Sequence, residues 1–362
     1  MDKLTFFFEG DDFFSSLRQA IAQATESVEI ELYYFSDDDV GLSFSELLKR
    51  KAKEGVKVRI IYDAVGCRGT SSKFLDALEK SGMRLKEYNP LLPPRRHFGR
   101  RDHRKIMIVD HRIGFLGGFN IASEYSRTSA GETAWRDSGI CFEDPELIQK
   151  LVQLFEDSWE EKRLRIKDFI REKIPRPDWS RRKHHLLASH GWNRKGLIRE
   201  EYLSAIIHAK RFIYITNSYF IPDRGIRRAL RKASGRGVDV RLLVAGPTDV
   251  PIARWASQAT YSSFLRAGVR IYEYQGRILH AKSAAIDTEW YTVGTSNMDP
   301  LSFFHNLEVN FLGRGPEEAR LLMVQFAEDL NFSKELSLEI WRRRPWWTRL
   351  RERFFFFFRA WL

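Results

Sequence analysis

Two segments of the 362-residue chain carry the same reactive residue types at the same spacing. In each segment a histidine is followed by a lysine two positions later, an aspartate five positions after the lysine, and an asparagine ten positions after the aspartate. An imidazole can act as nucleophile, acid or base, while ammonium and amide groups can stabilise the oxygens of an anionic transition state. The pattern therefore predicts one pseudosymmetric phosphoryl-transfer site assembled from both segments. The two sets are His103, Lys105, Asp110 and Asn120, and His280, Lys282, Asp287 and Asn297.

The spacing also predicts the direction of each side chain. Because side chains alternate between the two faces of a strand, His103 and Lys105 should share one face, and Asp110 should point to the other. The second segment has the same parity. We therefore expect the lysines to bind the phosphate. Asp110 and Asp287 should be structural and close the turn before a returning strand, which should bring each motif asparagine back beside its own histidine.

A two-step transfer needs the two histidines in different roles. One attacks phosphorus through Nε2 and forms a phosphohistidine, while the other protonates the leaving alcohol and then acts as base on the incoming one. The Nδ1–H group of such a histidine is usually held by a carboxylate. We expect Glu308 to hold His280. The matching acid for His103 is Asp137, with Glu124 as a less favoured alternative, and symmetry alone does not decide which histidine is the nucleophile.

These segments resemble the HKD motif of the phospholipase D superfamily, which occurs twice per active unit. The resemblance runs along roughly residues 8 to 335 and is greatest to the short bacterial cardiolipin synthases that lack N-terminal transmembrane helices. It implies that an acid after each motif holds a histidine, that His103 is the nucleophile and that His280 is the acid. The segments that carry it outside the motifs are 31–35, 55–63, 120–125, 135–137 and 297–300.

The elements around the two motifs also repeat. Each half reads as strand, helix, strand, helix, strand and motif, with helices predicted at 11–24 and 43–53 and strands at 28–34 and 56–62. This pattern predicts an α/β fold of two pseudosymmetric α/β/α halves, with mixed, largely parallel sheets packed together and the site at their interface. The predicted units are residues 1–174, with a motif at 103–120; residues 184–335, with a motif at 280–297; and a tail, 336–362. A linker is expected near 174–183.

The composition favours a polyanionic partner. The formal net charge is +12, which suits a nucleic acid or an anionic membrane surface. The tail mixes arginine with tryptophan and phenylalanine, as an interfacial anchor does, and no apolar run is long enough to span a bilayer. The N-terminus does not read as a signal peptide. Composition therefore predicts a protein that contacts a membrane from the cytosol. The resemblance implies that this is the cytoplasmic face of the bacterial inner membrane, with peripheral binding to anionic phospholipids such as phosphatidylglycerol and cardiolipin.

No cofactor or metal is expected. Two lysines can neutralise the phosphate in place of a divalent cation, and the carboxylates of residues 37–39 read as a solvated loop. Cys67 and Cys141 lack metal-ligand spacing and imply no disulfide. In the basic loop before the first motif, Arg95 or Arg96 is a candidate for headgroup contact.

The leading functional hypothesis is transphosphatidylation between two phosphatidylglycerol molecules, or between phosphatidylglycerol and another lipid alcohol, through a phosphohistidine. A phospholipase D that uses water would have the same catalytic residues. A nuclease of the same superfamily also suits the charge, but the phenylalanine-rich tail has no obvious use on nucleic acid, so no nucleic-acid partner is expected. A non-enzymatic membrane adaptor is the weakest hypothesis, because both motifs are intact.

Overall fold

The computed structural model describes residues 4–90, 99–160, 179, 182–190 and 196–359. Most of the predicted linker at 174–183 lies outside these ranges, as do Arg95 and Arg96. No helix within the described ranges is long and apolar enough to cross a bilayer.

The first half confirms the predicted helices and strands to within a few residues at their ends. Its helices are α1 (Gly10–Gln23), α2 (Asp39–Lys53), α3 (Ser72–Lys80), α4 (Arg127–Ala130) and α5 (Pro145–Trp159). Its strands are β1 (Leu4–Phe7), β2 (Ser27–Leu32), β3 (Lys57–Asp63), β4 (Arg84–Tyr88), β5 (Ile106–Val109), β6 (Ile113–Gly117) and β7 (Gly139–Phe142).

The second half repeats this order and continues into the C-terminal segment. Its strands are β8 (His184–His190), β9 (Phe212–Asn217), β10 (Asp239–Ala245), β11 (Arg270–Tyr274), β12 (Lys282–Ile286), β13 (Trp290–Gly294), β14 (Leu307–Arg314) and β15 (Ser333–Glu335). Its helices are α6 (Leu197–His208), α7 (Arg224–Gly235), α8 (Pro251–Leu265), α9 (Pro300–Phe304), α10 (Pro316–Leu330), α11 (Leu338–Arg342) and α12 (Trp346–Phe357).

Local sequence signals account for several of these boundaries. Helix α5 begins with Pro145 in its first turn, after Asp144, whose carboxylate accepts backbone N–H groups of that turn. Helix α2 is capped in the same way by Asp38. Asp37 accepts the N–H of Ser71. Asp37 and Asp38, in the carboxylate run at 37–39, therefore accept hydrogen bonds from backbone N–H groups.

Both sheets are mixed, and most of their pairings are antiparallel. The first has the order β1-β7-β6-β5-β2-β3-β4 and the second β15-β11-β10-β9-β12-β13-β14-β8. Among the described strands, parallel pairing occurs along β2-β3-β4 and β9-β10-β11. The predicted mixed α/β fold in two halves is confirmed, but the prediction that the sheets are largely parallel is wrong. Helical crossovers produce the parallel pairs, whereas each motif strand continues through a short hairpin, which forces antiparallel pairing.

The two sheets face each other across a shared hydrophobic core. That core contains Ile106 and Phe142 from the first sheet and Val309 and Phe311 from the second. The rings of Phe142 and Phe311 lie 5.6 Å apart. Separate clusters fill the space between each sheet and the helices on its outer face. Burial between the sheets therefore fixes one half against the other, and the motif strands β5 and β12 lie at this junction.

The C-terminal segment packs on the second half. Trp341 is buried in the second-half core, and its ring lies 5.3 Å from that of Tyr261 on α8. Strand β15 pairs with β11, so the second sheet extends to the start of the segment that the sequence sets apart as a tail.

Candidate active site

The backbone at each motif histidine is bonded to the opposite half. The N–H of His103 donates to the carbonyl of Leu307 at 3.0 Å, and the N–H of His280 donates to the carbonyl of Arg136 at 2.8 Å. Each histidine thus lies just before its motif strand, β5 or β12. It is bonded to the residue that directly precedes the other half's acid, Glu308 or Asp137. Two copies of one interaction hold the two motifs together.

The carboxylate partners of the histidines are exchanged between the halves. Nδ1 of His103 lies 3.0 Å from Oε1 and 3.1 Å from Oε2 of Glu308, and Nδ1 of His280 lies 2.6 Å from Oδ2 of Asp137. The predicted pairing of Glu308 with His280 and of Asp137 with His103 is therefore wrong, as is the alternative of Glu124 for His103. The reason is the backbone pairing: each acid directly follows the residue whose carbonyl accepts the other half's histidine N–H.

Both motif lysines are completely buried beside the histidines. Nζ of Lys105 donates to the carbonyl of His103 at 3.0 Å, and Nζ of Lys282 donates to the carbonyl of His280 and to Oγ of Ser218. Burial lowers the pKa of Lys105 to about 7, against the opposing charge of Glu308. Burial likewise lowers the pKa of Lys282 to about 8, against Asp137. A bound phosphodiester anion would favour the charged form of both lysines.

The two carboxylates differ in charge state. Burial alone would raise the pKa of Asp137, but the charges of His280 and Lys282 and the hydrogen bonds it accepts hold that pKa below its ordinary value. For Glu308, burial dominates and raises the pKa to about 8, although Oγ1 of Thr295 donates to it. At neutral pH these surroundings therefore favour the ionised form of Asp137 and the protonated form of Glu308.

The two histidines differ accordingly. Burial and then the charges of Lys105 and Lys282 hold the pKa of His103 well below its ordinary value. Burial also lowers the pKa of His280, but the charge of Asp137 opposes that shift. The imidazolium form is thus better supported at His280 than at His103.

The motif asparagines are buried and bonded to groups around the histidines. Oδ1 of Asn120 accepts the N–H of Tyr34, and its Nδ2 donates to the hydroxyl of Tyr125 at 2.9 Å. That hydroxyl lies 3.5 Å from Nδ1 of His280, so Tyr125 links Asn120 to the histidine of the other half. The placement of Asn120 beside His103 stays a prediction. In the second half, Oδ1 of Asn297 accepts the hydroxyl of Ser218, which also accepts Lys282.

The carboxylates of the motif aspartates bind backbone beside a neighbouring strand, beyond the turn that each was predicted to close. The carboxylate of Asp110 accepts the backbone N–H groups of residues 25, 26 and 27 at the start of β2. Asp287 accepts those of residues 210, 211 and 212 at the start of β9. Both residues have a positive φ, near 50°. They therefore fasten the motif hairpin to the neighbouring strand, on the side away from the lysines.

Aromatic rings lie beside both catalytic histidines. The ring of Tyr33 lies 5.2 Å from that of His103, and the rings of Trp135, Tyr125 and Tyr219 lie 5.4, 5.8 and 6.4 Å from that of His280. The signal available for two of them was position, since Tyr33 and Tyr219 follow β2 and β9, the strands next to the motif strands. Three of these four rings surround His280, whose Nδ1 contacts Asp137.

Cys67 and Cys141 form no disulfide within the described residues. In the part of the chain that the structure describes, no group of three or more histidine, cysteine, aspartate or glutamate side chains is placed to hold a metal ion.

Known proteins resemble the chain in sequence and in fold. The family model described as cardiolipin synthase, PLD-like domain, matches residues 17–159 and 202–330. A curated cardiolipin synthase of Halalkalibacterium halodurans is 33% identical over 350 residues, which cover 95% of this chain and 69% of the relative. Cardiolipin synthase B of Salmonella typhi is 31% identical, over 94% of this chain and 83% of the relative. The crystal structure of phosphatidylserine synthase from Haemophilus influenzae superposes with a TM-score of 0.76 over 99% of this chain and 95% of that one, at 14% identity.

Proposed function

The chain belongs to the cardiolipin synthase family of PLD-like proteins, and we propose that it is a phosphatidyltransferase that joins two phosphatidylglycerol molecules into cardiolipin. In the first step, Nε2 of His103 attacks phosphorus, and the bond from phosphorus to the glycerol oxygen breaks. His280 gives its proton to that oxygen, and glycerol leaves. In the second step, His280 takes the proton from a hydroxyl of the second lipid, whose oxygen attacks phosphorus and releases His103.

The observation that carries this proposal is the crossed pair of histidine–carboxylate contacts beside two buried lysines. Each imidazole is held through Nδ1, which leaves Nε2 for chemistry, and burial lowers the pKa of each lysine. A phosphodiester bound by the lysines supplies negative charge that stabilises their ammonium forms. Asn120 and Asn297 act as buried polar groups that keep this arrangement in place.

The difference in charge between the two halves supports the assignment of roles. A nucleophilic imidazole must be neutral, and the lowered pKa of His103 keeps it so. A general acid must begin protonated, and the ionised Asp137 stabilises that form of His280. The assignment carries a condition: Glu308 must lose its proton, so that Nδ1 of His103 can donate to it and leave Nε2 with a free electron pair.

We place the protein at the cytoplasmic face of the bacterial inner membrane as a peripheral enzyme, because its proposed substrates are membrane lipids and its charge is +12. Residues 1–174 and 184–335 form the two halves of one catalytic unit in this proposal, and 336–362 is the segment that contacts lipid. Neither half has a complete site, since each histidine uses a carboxylate of the other.

The test is a product assay on purified protein with phosphatidylglycerol in detergent micelles, resolved by mass spectrometry, with and without a chelator. We expect cardiolipin and free glycerol, unaffected by the chelator, and no product from His103→Ala or His280→Ala. Phosphatidic acid as the sole lipid product would replace the synthase with a phospholipase D. No lipid turnover, together with salt-sensitive cleavage of DNA, would replace it with a nuclease.

A further inference from the structure

Helix α12 presents an apolar face to solvent. At 3.6 residues per turn, its exposed large side chains fall within about one third of the helix circumference. Trp346 is 70% exposed and Phe357 is 77% exposed, which is unusual for side chains of this size. Arg351 and Arg353 lie at the two borders of this strip. We call the strip the aromatic face, and its members are Trp346, Trp347, Leu350, Phe354, Phe357 and Phe358.

The opposite side of α12 is fixed to the protein. Phe355 and Phe356 are half-buried, and the ring of Phe355 lies 5.1 Å from that of Trp255 on α8. Glu352 is buried and bonded to Arg344. The run of five phenylalanines is therefore divided, with two rings docked and three exposed. A helix held on one side cannot turn its exposed side inwards, so this face is a permanent surface of the molecule.

A small apolar cluster and Tyr219 connect this helix to the active site. Phe355 and Phe356 pack on a small cluster around Ile221, and Tyr219 packs on the same cluster. The ring of Tyr219 lies 6.4 Å from that of His280. The C-terminal end of α12 is thus the end nearer to the catalytic histidine.

A basic helix adjoins the aromatic face. The guanidinium group of Arg227 on α7 lies over the ring of Phe356, at 5.2 Å from its centroid. Arg224, Arg228, Arg231 and Lys232 of α7 are exposed, and none forms an ion pair within the described ranges. A surface that combines exposed aromatic rings with unpaired cations matches the interface of an anionic bilayer, where rings enter the headgroup layer and cations contact phosphates.

We propose that the aromatic face of α12 and the basic side of α7 form one docking surface for an anionic phospholipid bilayer, which orients the site so that His280 and Tyr219 face the lipid. This inference rests on the proposed function, because an enzyme that acts on a lipid phosphate must approach the bilayer. The docking surface itself lies outside the active site. Capture of substrate from a bilayer should depend on this surface, whereas turnover of micellar substrate should not.

The experiment compares two matched sets of exposed apolar residues in the full chain. One variant carries Trp347→Ser, Leu350→Ser and Phe354→Ser on the aromatic face. The control carries Leu321→Ser and Val324→Ser on α10, whose side chains are each 49% exposed. Co-sedimentation is measured with phosphatidylcholine vesicles, with and without phosphatidylglycerol. We expect the first variant to bind the anionic vesicles about tenfold or more weakly, and the control to bind like the unaltered protein.

The basic side is tested by Arg228→Gln, Arg231→Gln and Lys232→Gln together. This variant should lose about tenfold or more in binding to vesicles that contain phosphatidylglycerol, with little change for pure phosphatidylcholine. Binding of either variant equal to that of the unaltered protein would overturn the docking surface. So would a change from dimer to monomer in the aromatic variant without loss of vesicle binding, because the face would then be a contact between copies.

The two proposals fail differently in these assays. If the unaltered protein binds anionic vesicles through these residues but makes no cardiolipin from micelles, the reaction is wrong and the surface stands. If micellar turnover is normal in every variant and vesicle binding is also unchanged, the reaction stands and the surface is wrong.

Discussion

Nδ1 of His280 lies 2.6 Å from Oδ2 of Asp137, although 143 residues separate them in the chain. The reciprocal contact joins His103 to Glu308 across 205 residues. Each half thus supplies a histidine and the carboxylate for the other half's histidine. The catalytic groups can be assembled only when the two sheets are packed together, so the hydrophobic core between the sheets is also what positions the chemistry.

The first prediction concerns pH and Glu308. Burial raises the pKa of Glu308 to about 8. Below that pH the carboxyl retains its proton and donates to Nδ1 of His103, so Nε2 carries the hydrogen and cannot attack. We therefore expect the rate of p-nitrophenol release from a saturating phosphatidyl p-nitrophenyl ester, whose leaving group needs no proton from His280, to rise with pH up to about 8. In Glu308→Gln the amide oxygen can accept Nδ1–H at any pH, so this rate should be lower but its pH dependence should flatten. An unchanged dependence in the variant would assign the titration to another group.

The second prediction concerns the buried lysines and an anion. The pKa of Lys105 is lowered to about 7 and that of Lys282 to about 8, and a bound anion should raise both. Binding that raises a pKa is favoured below the free value and lost as pH rises through the bound value. Sulfate is a dianion over this whole pH range. Its competitive inhibition constant should therefore be about tenfold higher at about pH 9 than at about pH 6. An inhibition constant independent of pH would show that the lysines do not change protonation on binding.

The third prediction concerns the buried ion pair of Arg136 and Asp329. Nε and Nη2 of Arg136 donate to the two carboxylate oxygens of Asp329 at 3.1 and 2.8 Å, and both side chains are buried. Asp329→Ala leaves a buried guanidinium without its partner and should cost about 3–5 kcal/mol of unfolding free energy. The free energy of unfolding of each variant is measured by urea titration. The exposed pair of Arg270 and Glu335 serves as control, since Glu335→Ala should cost about 0–1 kcal/mol. Similar losses of unfolding free energy in both variants would refute the claim that the buried pair of Arg136 and Asp329 stabilises the contact between the two halves.

The fourth prediction separates structural from catalytic members of the motif. Asp110 accepts three backbone N–H groups and the hydroxyl of Thr25, none of them in the site. Asp110→Ala should lower the free energy of unfolding by about 1–2 kcal/mol and leave kcat within about threefold of its original value at a temperature where the variant is folded. A loss of kcat by orders of magnitude in the folded variant would make Asp110 catalytic.

Most of the residues at the site could be predicted from the sequence, but their pairing could not. Parity along an extended segment was sufficient to place Lys105 beside His103 and Asp110 against the neighbouring strand. Nothing local distinguishes a carboxylate that serves its own half from one that serves the other, because Asp137 and Glu308 follow their motifs in similar ways. The exchange is decided by backbone hydrogen bonds between residues far apart in the chain, such as that from His103 to Leu307. Such bonds produce no periodic pattern in the sequence.

The same limit applies to sheet pairing and to the C-terminal segment. Alternating strands and helices predicted the α/β halves, but the hairpin joining β5 to β6 determines antiparallel pairing through a loop too short to carry a crossover. The arginine, tryptophan and phenylalanine content predicted a lipid-binding segment. It did not show that Phe355 would dock on α8 while Phe354 remained exposed, since this depends on where α8 presents Trp255.

The most direct test of the proposed mechanism uses a phosphatidyl ester with a p-nitrophenol leaving group, which departs without a proton from the enzyme. We expect His280→Ala to release one equivalent of p-nitrophenol per active site in a rapid burst and to retain the phosphatidyl group on His103, detectable by mass spectrometry of the quenched protein. His103→Ala should give no burst and no labelled peptide. A burst from His103→Ala, with the phosphatidyl group on His280, would reverse the assigned roles, and the absence of any covalent adduct in both variants and in the unaltered protein would contradict the covalent mechanism.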